Sequence, residues 1–266
     1  MQPNRPALVH WKKSPAALFS DISFVAGGKK RGFCRLPWRV ATPGPAKSDK
    51  LLADSIKAYT RLGLRVYDPL IVNLVAPRVW DCSPDTLVEH YREHVTSNHA
   101  DIGVGTGYFL DRCGFDAASP RLALIDLQSN CLEHAARRLA RYRPQTYVRD
   151  ALRPIEGIPG GPFDSIALGG IIHCLAGDLR RKSGVFDAIA PLARTGTKIF
   201  GYTLVRDGVS LYARRRVVHR VLNQLRVIDN TNDRLCDLHH ELSTRFTECK
   251  VEAIGCMALF SARYQS

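Results

Sequence analysis

Three glycines at alternate positions, Gly103, Gly105 and Gly107, follow an acidic residue, Asp101, at the end of a short apolar run. Glycine lets the backbone turn sharply and lets a ligand lie against it with no Cβ in the way. The free amides of a helix that starts just beyond add a weakly positive end. The pattern therefore predicts a strand at 98–102, a tight loop, and a helix opening at about Thr106, the usual cradle for a nucleotide-type ligand. A dinucleotide fingerprint, G-x-G-x-x-G, would need glycine at position 108, where this chain has Tyr108. A second acid, Asp126, ends the next apolar run, 19 residues beyond Gly107. A carboxylate at that place can accept hydrogen bonds from both hydroxyls of a ribose.

From residue 98 onward, strand and helix patterns alternate, which predicts a doubly wound α/β sheet. Strands are expected at 98–102, 121–126, 145–148, 163–168, 197–203, 247–254 and 256–263. Helices are expected near 106–114, 129–141, 178–192, 209–226 and 231–246. The last two strands are separated by Gly255 alone, so they should pair as a tight or bulged antiparallel hairpin. Ahead of the sheet, helical patterns cover Leu51 to Leu64, Tyr67 to Val75 and Pro84 to His94. Ligands of open α/β sheets bind at the carboxyl ends of the strands, near the switch in strand order. Asp101 to Gly107, Asp126, Asp150 and Gly169 all fall at such ends.

The D-x-G-x-G-x-G loop followed by the second acid resembles the class I S-adenosyl-L-methionine (SAM)-dependent methyltransferases. The likeness extends to about residue 263. It implies a seven-stranded, mostly parallel, Rossmann-like sheet that ends in an antiparallel hairpin, with an N-terminal helical lid. It also implies a cofactor site made by Asp101, Gly103, Gly105, Thr106, Gly107, Asp126, Leu127, Asp150, Ala151 and Gly169. Val148-Arg149-Asp150-Ala151 looks like the segment that caps adenine, with Asp150 accepting from the amino group and the Ala151 amide meeting a ring nitrogen. Pro162 to Gly170 resembles the fourth strand, whose end faces the methyl donor. Arg194-Thr195-Gly196 departs from the family's usual Pro-Gly-Gly turn ahead of the fifth strand.

Amino methyltransferases that modify bases carry Asn/Asp-Pro-Pro-Tyr/Phe after the fourth strand. Here the stretch is Leu168-Gly169-Gly170-Ile171-Ile172-His173-Cys174-Leu175, which argues against that chemistry. It resembles instead the Leu-His-His-Leu element of small-molecule methyltransferases, with His173 at the first histidine. His173 is thus one candidate base and His219, in the Arg-rich helix Ala213 to Leu225, a second; packing or helix-capping roles stand beside both. Tyr59, Tyr67 and Trp80 could wall the acceptor from the lid, or could be ordinary core. His90-Tyr91-Arg92-Glu93-His94 fits H-x-x-E-H, an inverted zinc-protease signature. A third ligand and the protease context are missing, so no metal is assigned.

Charge bears on the partner. The chain carries a formal +13, and its first 50 residues hold ten Lys or Arg against two acids, Asp21 and Asp49. That concentration marks 1–50 as a basic extension, most simply a solvated tail, ahead of a methyltransferase domain at 51–266 (lid 51–96, α/β core 97–266). No apolar run approaches the roughly 18 residues needed to cross a bilayer. Eight scattered cysteines form no C-x-x-C pair, which fits a reducing, cytoplasmic setting. The sequence thus predicts transfer of a methyl group to a small, largely apolar metabolite of secondary metabolism. Oxygen is favoured as the acceptor atom over carbon or nitrogen. The alternatives are an RNA methyltransferase, raised by the basic tail, and a SAM-binding scaffold without turnover. The oligomeric state is not encoded in any motif.

Overall fold

The computed structural model describes residue 64, residues 67–115, 119–206 and 213–266. The basic extension, the expected helix from Leu51 and the lid candidate Tyr59 lie outside the described residues. Seven strands form one sheet in the order β3-β2-β1-β4-β5-β7-β6. They are β1 (Asn98–Ile102), β2 (Arg121–Asp126), β3 (Gln145–Val148), β4 (Ser165–Gly169), β5 (Lys198–Leu204), β6 (Phe246–Ile254) and β7 (Met257–Tyr264). The first five are mutually parallel, and β7 runs antiparallel to both β5 and β6. The order reverses at β1 and β4, which sets the crevice of the fold at the carboxyl ends of those two strands.

Alternation along each strand builds two cores. Ala100, Ile102, Ala123, Ile125, Ile166 and Leu168 face one layer, with Phe186, Leu238 and Leu242 packed on them. Leu122, Leu124, Ala167, Tyr202 and Leu204 face the other, under Leu87, Tyr91, Leu110 and Leu132. The helices that supply these covers are α1 (Pro84–His94), α2 (Tyr108–Cys113), α3 (Ser129–Arg138), α4 (Leu179–Lys182), α5 (Gly184–Ala188), α6 (Ala213–Gln224) and α7 (Leu235–Ser243). Each fully buried Leu, Ile or Phe contributes about 1.5–3 kcal/mol relative to exposure, so this double cover is what holds the rim of the sheet in place.

Several boundaries differ from the sequence pattern, each for a local reason. The helix after the glycine loop begins at Tyr108, because Gly107 stands at φ +71° and cannot continue a right-handed helix. The single helix expected over 178–192 is three short pieces. Ser183 spends its hydroxyl on the Arg180 carbonyl between the first two, and Pro191 sits in the short turn Ala190–Leu192 that makes the third. The helix expected at Tyr67 to Val75 runs on to Trp80 with wide, π-type turns and carries Pro77 inside it. It stops where Asp81 adopts a left-handed conformation, φ 57°. The hairpin turn has two residues, Gly255 and Cys256, with Ile254 paired to Met257. Gly255 has φ +60°, and a Cβ there would lie 2.0 Å from the Trp80 carbonyl, so only glycine fits. The bulge falls elsewhere in the same hairpin, between Thr247 and Lys250, with Glu248 at φ 51°.

His90 and His94 of the H-x-x-E-H segment serve the fold through ring nitrogens that face backbone carbonyls. His90 Nε2 lies 3.1 Å from the Gly201 oxygen and 3.2 Å from the Phe260 oxygen, and His94 Nδ1 lies 2.8 Å from the His90 oxygen. The first contacts pin α1 across β5 and β7.

Candidate active site

Two cavities meet on the glycine loop. The outer one, about 500 Å³, is lined by Gly103, Gly105, Asp126, Leu127, Asp150, Ala151, Gly170 and Cys174 among others. The inner one, about 90 Å³, is lined by Tyr67, Asp101, Gly103, Gly105, Thr106, Gly107, Gly169, Gly170, His173 and Tyr202 together with lid and α1 residues. Gly103, Gly105 and Gly170 belong to both, so a bare backbone ledge divides them.

The ledge is built by backbone conformation. Gly103, Gly105 and Gly107 all have positive φ, from 54° to 73°, a region that other residues enter only at a cost of about 1–3 kcal/mol. At Gly103 an added Cβ would also come within 2.8 Å of the Ile171 side chain. Asp126 reaches the ledge from the end of β2. Its carboxylate accepts from the Gln128 amide at 2.8 Å and from the Gly105 amide at 3.4 Å. Burial raises its pKa to about 6, against the lowering effect of those amides. Asp150, at the turn after β3, accepts from the Leu152 amide at 2.9 Å and pairs with Arg153.

The inner cavity is apolar and aromatic on most sides. Ile71, Val72, Ala76 and Trp80 of the lid helix face Leu87 and Tyr91 of α1, Phe109 of α2, Leu204 and Met257. Asp101, 2% exposed, is the only carboxylate among the described residues of this lining. Its Oδ2 stands 3.9 Å from His99 Nε2, and its Oδ1 is buried with no hydrogen-bond partner among the described residues, as is Trp80 Nε1. Burial holds the Tyr91 and Tyr202 hydroxyls well above the ordinary phenol range, with the Asp101 charge adding to it at Tyr91 and Tyr67 and Asp101 at Tyr202. Both phenols therefore stay protonated at any working pH.

His173 lies on the inner wall, 9% exposed. Its Nδ1 accepts from the Leu204 amide at 3.1 Å and lies 3.3 Å from Thr203 Oγ1. A neutral ring that accepts at Nδ1 carries its proton on Nε2. Burial, helped by Lys182 and His219, lowers its pKa to about 3. His219 is buried on α6 with Nδ1 3.4 Å from Asn230 Nδ2, and it lines neither cavity. The loop behind His173 is tied down by a buried pair, Lys182 Nζ to Asp233 Oδ2 at 2.7 Å, while Lys182 also donates to the Asp229 carbonyl. Asp229 in turn donates its amide to the His173 carbonyl at 2.8 Å.

The structure thus gathers Asp101, Gly103, Gly105, Thr106, Gly107, Asp126, Leu127, Asp150, Ala151, Gly169, Tyr67 and His173 along the walls of two adjoining cavities. It leaves His219 off them. Tyr91, Phe109, Tyr202 and Met257 belong to the inner wall without having been singled out in the sequence; each reads there as periodic core, with nothing local to set it apart.

Residues 100–199 match a family model described as a methyltransferase domain. Demethylluteothin O-methyltransferase of Streptomyces thioluteus is 33% identical over 214 residues, covering 80% of this chain and 93% of that protein. The N-methyltransferase vrtF of Penicillium aethiopicum is 30% identical over 190 residues, covering 69% and 76%. Among solved structures, the DhpI–SAH complex shares the fold with a TM-score of 0.59 at 14% identity, covering 82% of this chain and 98% of that one. The sheet order, the glycine ledge with its two acids and these likenesses agree: the chain belongs to the class I SAM-dependent methyltransferases that act on small molecules.

Proposed function

We propose that the enzyme methylates an oxygen atom of a small, largely apolar metabolite. The observation that carries this reading is the inner cavity, walled by aliphatic and aromatic side chains and meeting the outer cavity only along the glycine ledge. In this reading the outer cavity takes the adenosine part of SAM. Asp126 accepts from the ribose hydroxyls, Leu127 packs on the adenine, Asp150 accepts from its amino group, and the Ala151 amide meets a ring nitrogen. Asp101 faces the amino-acid end, where a cationic ammonium would satisfy its buried, unpartnered Oδ1. Gly103, Gly105, Gly107 and Gly169 admit the ligand by lacking side chains, and Thr106 fixes the loop. When bound, SAM supplies an electrophilic methyl group on a sulfonium. Tyr67 and the lid helix close over the acceptor and exclude water.

His173, neutral and with its proton on Nε2, orients the acceptor as a hydrogen-bond donor. Placement of the acceptor oxygen in line with the methyl group then supplies most of the acceleration. His219 is assigned no contact with either ligand. Transfer to oxygen is supported by the relative with the longer matched span, an O-methyltransferase by name, and by the absence of the Asn/Asp-Pro-Pro-Tyr/Phe element from Leu168 to Leu175. Residues 51–96 act as the lid on a 97–266 core, with 1–50 outside both. A cytoplasmic setting is supported by the seven described cysteines, all free thiols. Among the described residues no helix is long and apolar enough to cross a membrane.

Calorimetric titration of SAM and S-adenosylhomocysteine into the full chain tests the cofactor half, with micromolar binding expected. Methyl transfer from labelled SAM to a panel of apolar hydroxyl compounds, amines and RNA tests the acceptor half. Transfer to RNA with steep salt dependence, and to no hydroxyl compound, would overturn the proposed acceptor.

A further inference from the structure

The inner cavity is small for an acceptor site. Its volume of about 90 Å³ falls well below the roughly 300 Å³ at which ligand pockets begin. The lid helix, Asp68–Trp80, supplies four residues of its wall and is held at its far end by the Trp80 carbonyl, which accepts from the Cys256 amide at 2.8 Å. What fastens that helix is therefore what controls entry.

A second fastening is at its first residue. Asp68, 8% exposed, accepts at Oδ1 from the Thr106 hydroxyl at 2.7 Å. Its other oxygen pairs with Arg138 Nη2, and Arg138 Nη1 donates to the same Thr106 oxygen at 3.3 Å. The three groups close a ring of charge-assisted hydrogen bonds in a largely buried place, where such bonds are strong and a missing member leaves a charge uncompensated. One turn further on, Tyr108 donates to Asn73 of the lid at 3.2 Å. Thr106 follows Gly105, which lines both cavities, and itself lines the inner one. Arg138 closes α3, the helix that leaves the Asp126 end of β2. Thr106 is thus one residue from Gly105 of the outer cavity and Arg138 sits on the helix that follows Asp126, whereas Asp68 itself opens the helix that supplies Ile71, Val72, Ala76 and Trp80 to the inner wall.

We propose that Asp68, Thr106 and Arg138 form a latch that transmits occupancy of the cofactor cavity to the acceptor wall. A ligand on the glycine ledge fixes the loop that carries Thr106. A fixed Thr106, squared by Arg138, presents its hydroxyl to Asp68 and holds the lid helix against the sheet. With the ledge empty, the loop moves, the ring breaks more often, and the lid opens to admit the acceptor. The three are positioning residues: none needs to touch the reacting atoms. The proposal rests on the reading of the outer cavity as the cofactor site, and it adds that cofactor and acceptor affinities are thermodynamically linked.

Hydrogen exchange across residues 68–80, in the full-length protein with and without saturating S-adenosylhomocysteine, reads the latch without any turnover. The wild type should show exchange in this segment slowed about tenfold by the ligand. Asp68→Asn and Thr106→Val should each reduce that protection to less than about twofold while still binding the ligand at higher concentration, and the double variant should be no worse than the single ones. Thr106→Ser keeps the hydroxyl and should restore the protection, which separates the latch from a merely structural loss. Ligand binding by the wild type with unchanged exchange at 68–80 would overturn the latch alone. So would full protection in the Asp68→Asn protein. No binding of S-adenosylhomocysteine by the wild type would overturn the cofactor reading and the latch with it.

Discussion

The two cavities that meet on the glycine ledge are made of different material. The outer one rests on a backbone frame of positive-φ glycines, strand ends, the amides that hold Asp126 and the turn that carries Asp150, with residues such as Arg149, Arg181 and Ile228 completing its wall. Its geometry is fixed by the sheet, and the parallel register of β1, β2 and β4 leaves it little freedom. The inner one is a side-chain structure, assembled from the lid helix, α1, α2, β5 and β7, elements that are distant in the chain. Backbone sites tolerate little change and serve one ligand across a family. Side-chain walls can be repacked at modest cost, which is why a common cofactor cavity can be combined with many acceptors. The contrast makes a prediction for each side.

The largest effect is expected on the backbone side. Asp126→Ala removes the carboxylate that the proposed function sets against the ribose hydroxyls and leaves the Gln128 and Gly105 amides without their acceptor. SAM affinity should fall about 100-fold, a loss of about 3 kcal/mol, measured by calorimetry. A change of less than about threefold would mean that the outer cavity does not hold the ribose.

The same carboxylate makes the contrast sensitive to pH. Its pKa of about 6 in the protein is raised by burial, so the folded, ligand-free chain binds more protons than the unfolded chain between about pH 4 and 6. This group therefore favours the folded state less as pH rises through that window. Ribose hydroxyls donate to the ionised form, so ligand affinity has the opposite slope. It should be flat above about pH 6.5 and fall about tenfold per unit below the folded pKa. A flat binding profile between pH 5 and 7 would break the assignment, and Asp126→Asn should abolish the slope whatever it does to affinity.

How far each cavity was legible in the sequence follows the same division. Asp101, the three glycines, Asp126 and Asp150 announce themselves because backbone conformations and strand ends have residue signatures. Seven strands were visible within a residue or two, and the exposed edge strand β3 was found at its observed bounds because its neighbours supply the pattern. The inner wall was not legible. Met257 and Phe109 carry no local mark, and only the pairing of β7 with β5 and the packing of α2 bring them to one place. Asp68 and Arg138 are 70 residues apart and look in the sequence like two solvated charges on two helices. The broken helix at 179–192 was missed because a serine that bonds its own turn has no periodic signature.

On the side-chain side, Met257→Ala should enlarge the inner cavity while leaving the ledge untouched. Because the side chain is 2% exposed, the truncation should cost about 2–4 kcal/mol of folding stability by denaturant titration. Once an acceptor is in hand, its KM should rise about tenfold with SAM affinity unchanged. Equal losses for both ligands would mean that the two cavities are not separable, and the comparison would lose its ground.

The smallest effect should come from the residue that looks most like a catalyst. His173→Asn keeps an oxygen near the Leu204 amide and removes the Nε2 proton. A general base would cost about 10²–10⁴ in rate when lost, and the pH–rate profile would lose its acidic limb. A donor that orients the acceptor should cost less than about tenfold in kcat, with the limb set by Asp126 unchanged. The low pKa of His173, about 3 under burial and the charge of Lys182, already keeps the ring neutral throughout the range where the enzyme would be assayed. With Nδ1 engaged by Leu204, the ring has no lone pair left to take a proton from the cavity. With Asp101 committed to the amino-acid end of the cofactor in this reading, the acceptor loses its proton to solvent before the lid closes, so the rate should follow the acceptor's own acidity across a series of hydroxyl compounds. A rate indifferent to that acidity, together with a 10²-fold loss in His173→Asn, would restore the histidine as base and would require the opposite tautomer from the one the structure holds.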